Sequence, residues 1–282
     1  MQNLVLFLNH FFDILWWPLS ATPCYVDIII ISAISAFIFL VIFKKTSNQE
    51  MIKRYKNKMI ANILEIRLYK DQPVITGRSI LNILWCNINY MRHAIFPLII
   101  ILPPLLVISI QINNRYGYAP LEIGKPFIVR ADLAGNLAPE IARAPEKIRC
   151  DASENVTIET SPLIIESKGR VFWRARVTSL DGNEHYCRIS INGTDATVEK
   201  KIITSAGIQR FSPERKKWHI RNVFVNNAED FISESSPFEA VSVYYNRAVY
   251  PFLGWDIDPI LLFFILTLIF GLALKPILRV DI

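Results

Sequence analysis

Four histidines, four cysteines and a small acidic cluster are the residues with the most chemistry to offer, and their spacing organises little of it. His10, His93, His185 and His219 are separated by long apolar or alternating runs, so no zinc-ligand pattern is present. Glu229, Asp230 and Glu234 read as a solvated acidic loop. There is no glycine-rich phosphate loop and no nucleophile elbow, so neither an enzyme nor a metal or cofactor is expected. Asn155-Val156-Thr157 and Asn192-Gly193-Thr194 match the glycosylation sequon, which matters only in a secretory pathway. A more suggestive group is Asn87, Asn89, Arg92 and His93, which immediately precede the apolar run from Ile95 to Ile112. That run contains Pro97, Pro103 and Pro104, and each proline removes a backbone donor and leaves a carbonyl without its helical partner. In a bilayer such carbonyls need polar company, so these seven residues are the candidate lining of a polar groove. A purely structural kink is the alternative.

The elements that would hold this group are read from hydropathy. The chain has 282 residues, 52% hydrophobic, with 20% charged. The apolarity concentrates in Val26 to Phe43, Ile95 to Ile112 and Ile257 to Leu274. Each approaches the roughly 20 residues that cross a hydrocarbon core of about 30 Å, which favours three membrane helices over buried core helices. Residues 44–93 carry ten Lys or Arg against three acids, whereas residues 1–43 carry no basic residue. The positive-inside rule then places the arm and the C-terminus in the cytoplasm, with the N-terminus and the polar region 115–250 outside, in an inner (plasma) membrane. That polar region holds 19 basic and 17 acidic residues, so specific nucleic-acid recognition is not expected.

The arm itself has helical periodicity. Ser47 and Glu50 have capping-box spacing, and Ile52, Tyr55, Met59, Ile63, Ile66 and Tyr69 form one stripe on a basic rod bearing Lys53, Arg54, Lys56, Lys58, Arg67 and Lys70. Pro73 is expected to stop that helix and Gly77 to allow the turn. A second stripe, Ile80, Leu84, Ile88, Met91 and Ile95, would then pack on the first as an antiparallel hairpin. A basic arm lying on anionic headgroups is the plainer reading. Ahead of the first span, Asn3 to Leu19 would lie in the outer interface, with Trp16 and Trp17 at headgroup level and Asn9 and Asp13 on the wet side.

Past Tyr116 the pattern alternates. PFIVRADL, VTIET, LIIES, RVFWRARVTSL, EHYCRISI, ATVEKKIIT, KWHIRNVFV and EAVSVYY suit short strands, with hairpin turns at 180–183 and at Ile191-Asn192-Gly193-Thr194. Seven or eight such strands predict an immunoglobulin-like β-sandwich. Within it, Val171, Trp173, Ala175 and Val177 should face the core. Cys150 and Cys187 fall in this outer domain, where either a disulfide or two free thiols would fit. The expected organisation is therefore an interfacial helix (1–24), a first span (25–44), a cytoplasmic hairpin (45–94), a second span (95–112), the sandwich (115–250), a third span (256–275) and a tail (276–282).

Leu68-Tyr69-Lys70-Asp71-Gln72-Pro73, followed by Phe96-Pro97-Leu98-Ile99-Ile100-Ile101-Leu102-Pro103, is similar to the run from hairpin tip to proline-bearing helix in the YidC/Oxa insertase superfamily. The order of spans resembles its three-helix members. The chain also resembles a group of uncharacterised bacterial three-helix envelope proteins at Thr46-Ser47-Asn48-Gln49 and Glu65-Ile66-Arg67-Leu68. The insertase resemblance implies a cytoplasm-facing hydrophilic groove that assists membrane-protein insertion or assembly. Its expected partners are the lipid bilayer, a membrane-protein substrate and the ribosome at the basic hairpin. The first span lacks the groove arginine of bacterial members, which leaves Arg92 with Asn87 and Asn89 as substitutes. The other expectation is a non-enzymatic envelope scaffold or sensor, whose sandwich binds subunits of an envelope complex outside.

Overall fold

The computed structural model describes residues 10–134, 137–179, 185–194, 196–204, 212–219 and 229–280. The chain divides into two compact units, one of residues 1–24 with 110–260 and the other of residues 25–109 with 261–282. Among the described residues, three helices are long and apolar enough to cross a membrane: α2 (Cys24–Thr46), α4 (Pro73–Tyr116) and α6 (Pro259–Leu278).

The helical unit is built on α2, α3 (Gln49–Leu68), most of α4 and most of α6. Helix α2 buries Ile28, Ile31, Ser32, Ser35, Ala36 and Phe39, a face with small residues that let a neighbouring helix approach. On α6, Leu262, Phe263 and Leu266 are buried. Ser32 Oγ donates 2.7 Å to the Ile28 carbonyl and lies 3.5 Å from that of Phe263, so the hydroxyl is satisfied between the two helices. Phe43, Ile52 and Val280 form a second small core, with Tyr90, Ile101 and Leu278 against it. Helix α6 runs past Lys275-Pro276 to Leu278, where Lys44 Nζ donates 2.8 Å to the last carbonyl and neutralises the negative helix end.

Three local expectations are corrected here. The cap of α3 is Asn48, whose side chain accepts from Met51 N at 3.1 Å, one residue beyond the Ser47 that the capping-box spacing picked out. The helix stops at Leu68, and Pro73 begins α4 rather than ending α3, because a proline costs nothing at a first-turn position that has no helical partner for an N–H. Gly77 is therefore inside α4 and not in the turn. No break separates the hairpin's second arm from the second span. Helix α4 is 44 residues long and continues through Pro97, Pro103 and Pro104, a length of about 66 Å at 1.5 Å per residue.

The other unit holds helix α1 (described over residues 10–16), a 3-10 turn at Trp17–Ala21 and the β-domain. Strands β1 (Pro126–Leu133), β3 (Val156–Ile158), β4 (Leu163–Ile165), β5 (Arg170–Val177), β8 (Glu214–Lys216) and β9 (Phe238–Val243) form one antiparallel sheet, ordered β3-β5-β1-β9-β8 with β4 also on β5. Strands β2 (Ile148–Ala152), β6 (His185–Ile191) and β7 (Thr197–Ile202) form the other, ordered β2-β6-β7. Their inward faces share a single core that includes Val129, Val171, Trp173, Ala175, Val177, Ile189, Val198 and Val241. The alternation in β5 thus places its apolar residues as expected, while Arg174 and Arg176 point out to Glu159 at 2.9 and 2.6 Å. Helix α5 (Ala138–Arg143), β2, β8 and the hairpin β10 (Tyr250–Phe252) with β11 (Trp255–Ile257) carry no alternation long enough to be read in advance. Lys217, Trp218 and His219 of the expected strand KWHIRNVFV are not in a strand, and its later residues lie outside the described ones. Gly193, at φ +87°, makes the β6–β7 turn as its Asn-Gly sequence suggests, whereas the turn at 180–183 lies outside the described residues.

Candidate functional site

The α3–α4 hairpin is held by polar and aromatic contacts. Ser79 Oγ donates to Glu65 Oε2 at 2.8 Å, the Thr76 hydroxyl donates to the Tyr69 carbonyl at 3.2 Å, and the Tyr55 and His93 rings stack with centroids 5.9 Å apart. Cys86 is buried on the same face of α4, at a seven-residue step from both Ser79 and His93. Ile52 is the stripe's one fully buried apolar residue on α3. Tyr55, Met59 and Ile66 are half-buried, while Ile63 and Tyr69 are exposed, because Asn62 and Glu65 occupy the turns of helix that face inward.

On α4 the expected stripe is reversed. Ile80, Leu84, Ile88, Met91 and Ile95 are all exposed, and the face that packs carries Ser79, Ile83, Cys86, Tyr90, His93 and Pro97. The packed face meets α3 through matched groups, the Tyr55 ring on the His93 ring and the Glu65 carboxylate on the Ser79 hydroxyl. The basic residues Lys53, Arg54, Lys58, Arg67 and Lys70 are exposed, and Lys56 is half-buried.

The seven candidate groove residues do not gather in one place. Asn87 and Asn89 lie about 200° apart round the helix. The Asn89 amide donates to the Trp85 carbonyl at 2.9 Å, Asn87 is exposed, and His93 stacks on Tyr55 on the packed side. Pro97 is buried, Pro104 half-buried and Pro103 exposed. Arg92 alone among them lines a shallow concavity of about 570 Å³, together with Ile88, Met91, Ile95, Phe96 and Ile99. Its lining is apolar with one cation. It suits a hydrophobic side chain or helix face better than a polar tail, and it contains no nucleophile or base. No family model, curated protein or solved structure matches this chain.

The other unit has two buried polar arrangements that sequence reading did not find. Arg115, near the end of α4, has a fully buried side chain that donates to Asp13 Oδ1 at 2.6 Å and Gln111 Oε1 at 2.5 Å, with its guanidinium 4.8 Å from the Trp16 ring. Trp16 Nε1 in turn donates to Tyr116 Oη at 3.0 Å. Asp13, expected on a wet face, has a side chain 40% exposed and also fastens α1 to the end of α4, and Asn9 lies outside the described residues. Gly117 ends the long helix where a Cβ would stand 2.5 Å from the Asn113 carbonyl oxygen.

Within the sandwich, Lys200 on β7 is buried and bonded to Glu229 and, at 2.6 Å, to the Ser212 carbonyl. Burial holds its ammonium below the ordinary lysine value even with Glu229 beside it. Glu229 is therefore the partner of a buried cation, not part of a solvated acidic loop. Cys150 and Cys187 are free thiols. Register sets Cys150 opposite Ile189 and Cys187 opposite Ala152, so the two are diagonal neighbours on inward faces. Their mutual hydrogen bond, and then burial, hold the Cys150 thiol well above the ordinary thiol range. Among the described residues no group of His, Cys, Asp and Glu is arranged to hold a metal.

Proposed function

We propose that this chain is a non-enzymatic membrane scaffold whose long helix α4 presents an apolar face to the helix of a partner. One observation carries the reading: α4 packs the mixed face of Ser79, Ile83, Cys86, Tyr90 and His93 and leaves Leu81, Leu84, Trp85, Ile88 and Met91 exposed well below the Ile95–Ile112 run. Exposed apolar tracks of this extent are characteristic of interaction surfaces. In this reading the N-terminus and the β-domain lie outside the plasma membrane, the hairpin and C-terminus lie in the cytoplasm, and the sandwich is an immunoglobulin-like module available to envelope subunits. Blue native electrophoresis of the full chain from its own membranes tests the reading. Migration as a complex is expected, with collapse to the single-chain position in Leu84→Glu/Ile88→Glu. Unchanged migration of that variant overturns it.

The insertase reading retains one specific support, the single cation Arg92 in an apolar concavity beneath the proline-bearing span. It requires that Arg92→Ala slow insertion of a short reporter into proteoliposomes, and equal rates with and without Arg92 remove that support.

A further inference from the structure

We infer that the occupant of the α4 face is the same face of a second copy of this chain, paired as a parallel coiled coil. The inference rests on the scaffold reading and names its partner. Leu81, Leu84, Ile88, Met91, Ile95, Leu98 and Leu102 follow one another at alternating steps of three and four, and each is 47–67% exposed. That is an unbroken a/d heptad seam, and Val74 and Gly77 continue it to the start of the helix. Buried and half-buried residues occupy the opposite side, at c and f: Ser79, Ile83, Cys86, Tyr90, His93 and Pro97, with Ser79 bonded to Glu65 and His93 stacked on Tyr55 of α3.

Three features select a second copy in parallel. First, three of the five a positions are β-branched (Val74, Ile88 and Ile95, against Leu81 and Leu102) and three of the four d positions are Leu or Met (Leu84, Met91 and Leu98, with Gly77 at the fourth), a distribution that leans toward two parallel strands. Second, charge permits it. The charged residues flanking the seam are Arg78 and Arg92, both at e, and in a parallel pair they meet Pro73 and Asn87 of the other copy rather than another cation. Third, the seam crosses from the arm into the Ile95–Ile112 run without a break, so its partner must change from watery to apolar surroundings at the same level. A copy inserted with the same topology does this at every layer.

Lipid cannot cover the whole track, because Val74 lies 21 residues before Ile95, about 32 Å along a helix whose next 18 residues already fill the hydrocarbon core. The exposed seam with Trp85 amounts to on the order of 1,000 Å² per copy, comparable to the roughly 800 Å² per partner of a stable interface.

Cysteine scanning of residues 80–92 in the full chain, oxidised in its native membranes, is the test, with the wild-type chain and its own four cysteines as background. Leu81→Cys, Leu84→Cys, Ile88→Cys and Met91→Cys should give about five-fold or more covalent dimer than Asn82→Cys, Ile83→Cys and Asn89→Cys. Adducts at the same a/d positions to a different protein overturn self-pairing and leave the scaffold reading standing. Adducts without the heptad period, or none, overturn both. Native mass spectrometry of the unsubstituted chain supplies a second measure, in which a dimer is expected and a monomer is contrary.

Discussion

The β-sandwich and helix α4 solve opposite problems with the same residue types. In the sandwich the long strands turn most of their apolar residues to a common core and, Lys200 on β7 apart, their charges outward, where Glu159 takes Arg174 and Arg176. Arg130, on the same outer face, reaches Asp132 at 3.0 Å and Glu214 at 2.7 Å. In α4 the face of Ser79, Cys86, Tyr90 and His93 is packed and the face of Leu81, Leu84, Ile88 and Met91 is left open. A fold that has already buried its apolar residues needs nothing further, whereas α4 is complete only when something covers it. The sandwich is a finished core and α4 is half of one.

The comparison breaks most readily on core substitutions. Trp173→Ala in the sandwich should cost about 3–5 kcal/mol, read as a large fall in the β-domain's unfolding midpoint. Leu84→Ala or Ile88→Ala on α4 should leave that midpoint unchanged and weaken association instead. Equal loss of fold stability from both would show that the α4 face is already buried in the single chain.

Next in size is the buried ion pair. Lys200→Met leaves the half-buried Glu229 carboxylate and the Ser212 carbonyl without the donor that even a neutral lysine supplies and should cost about 3–5 kcal/mol, and the double variant Lys200→Met/Glu229→Gln should recover most of it, measured by denaturant unfolding. The lysine also sets a pH dependence. Its folded value is lowered by burial, so below that value both folded and unfolded states carry the proton and the full burial cost is present. As pH rises from the folded value toward the ordinary 10.5, only the unfolded state still holds the proton, and β-domain stability should rise. The Glu229-neutral double variant should lack this rise.

Smaller still is the hairpin contact. Ser79→Ala removes the donor to Glu65 and should loosen the tip by about 1 kcal/mol, seen as faster amide exchange in residues 65–79 with the β-domain unaffected. The smallest effect belongs to Arg176→Ala, within about 0.5 kcal/mol, because Glu159 keeps Arg174 and both arginines are solvated.

Much of the sandwich was legible because a period of two in a half-buried strand has one solution: Val171, Trp173, Ala175 and Val177 face in whatever the neighbouring strands do. The unread strands, β2, β8, β10 and β11, are short and borrow their pairing from others. Lys200 was illegible for a related reason, since it stands at an inward strand position and its partners, Glu229 and the Ser212 carbonyl, are distant in sequence. The candidate groove failed as a group because closeness along a helix is not closeness in space. Asn87, Asn89, Arg92 and His93 fall within two turns and still face different ways.

By itself the sequence determined that three helices are apolar and long enough to span a bilayer, that a basic hairpin separates the first two, and that an antiparallel β-domain precedes the last. Those conclusions follow from composition and period, which act locally. Only the tertiary structure decided which side of α4 packs. Its sequence offers an apolar face and a face of Ser79, Cys86 and His93, and it is the second that meets Tyr55 and Glu65 on another helix. Period can name a face, but what that face meets depends on residues elsewhere in the chain.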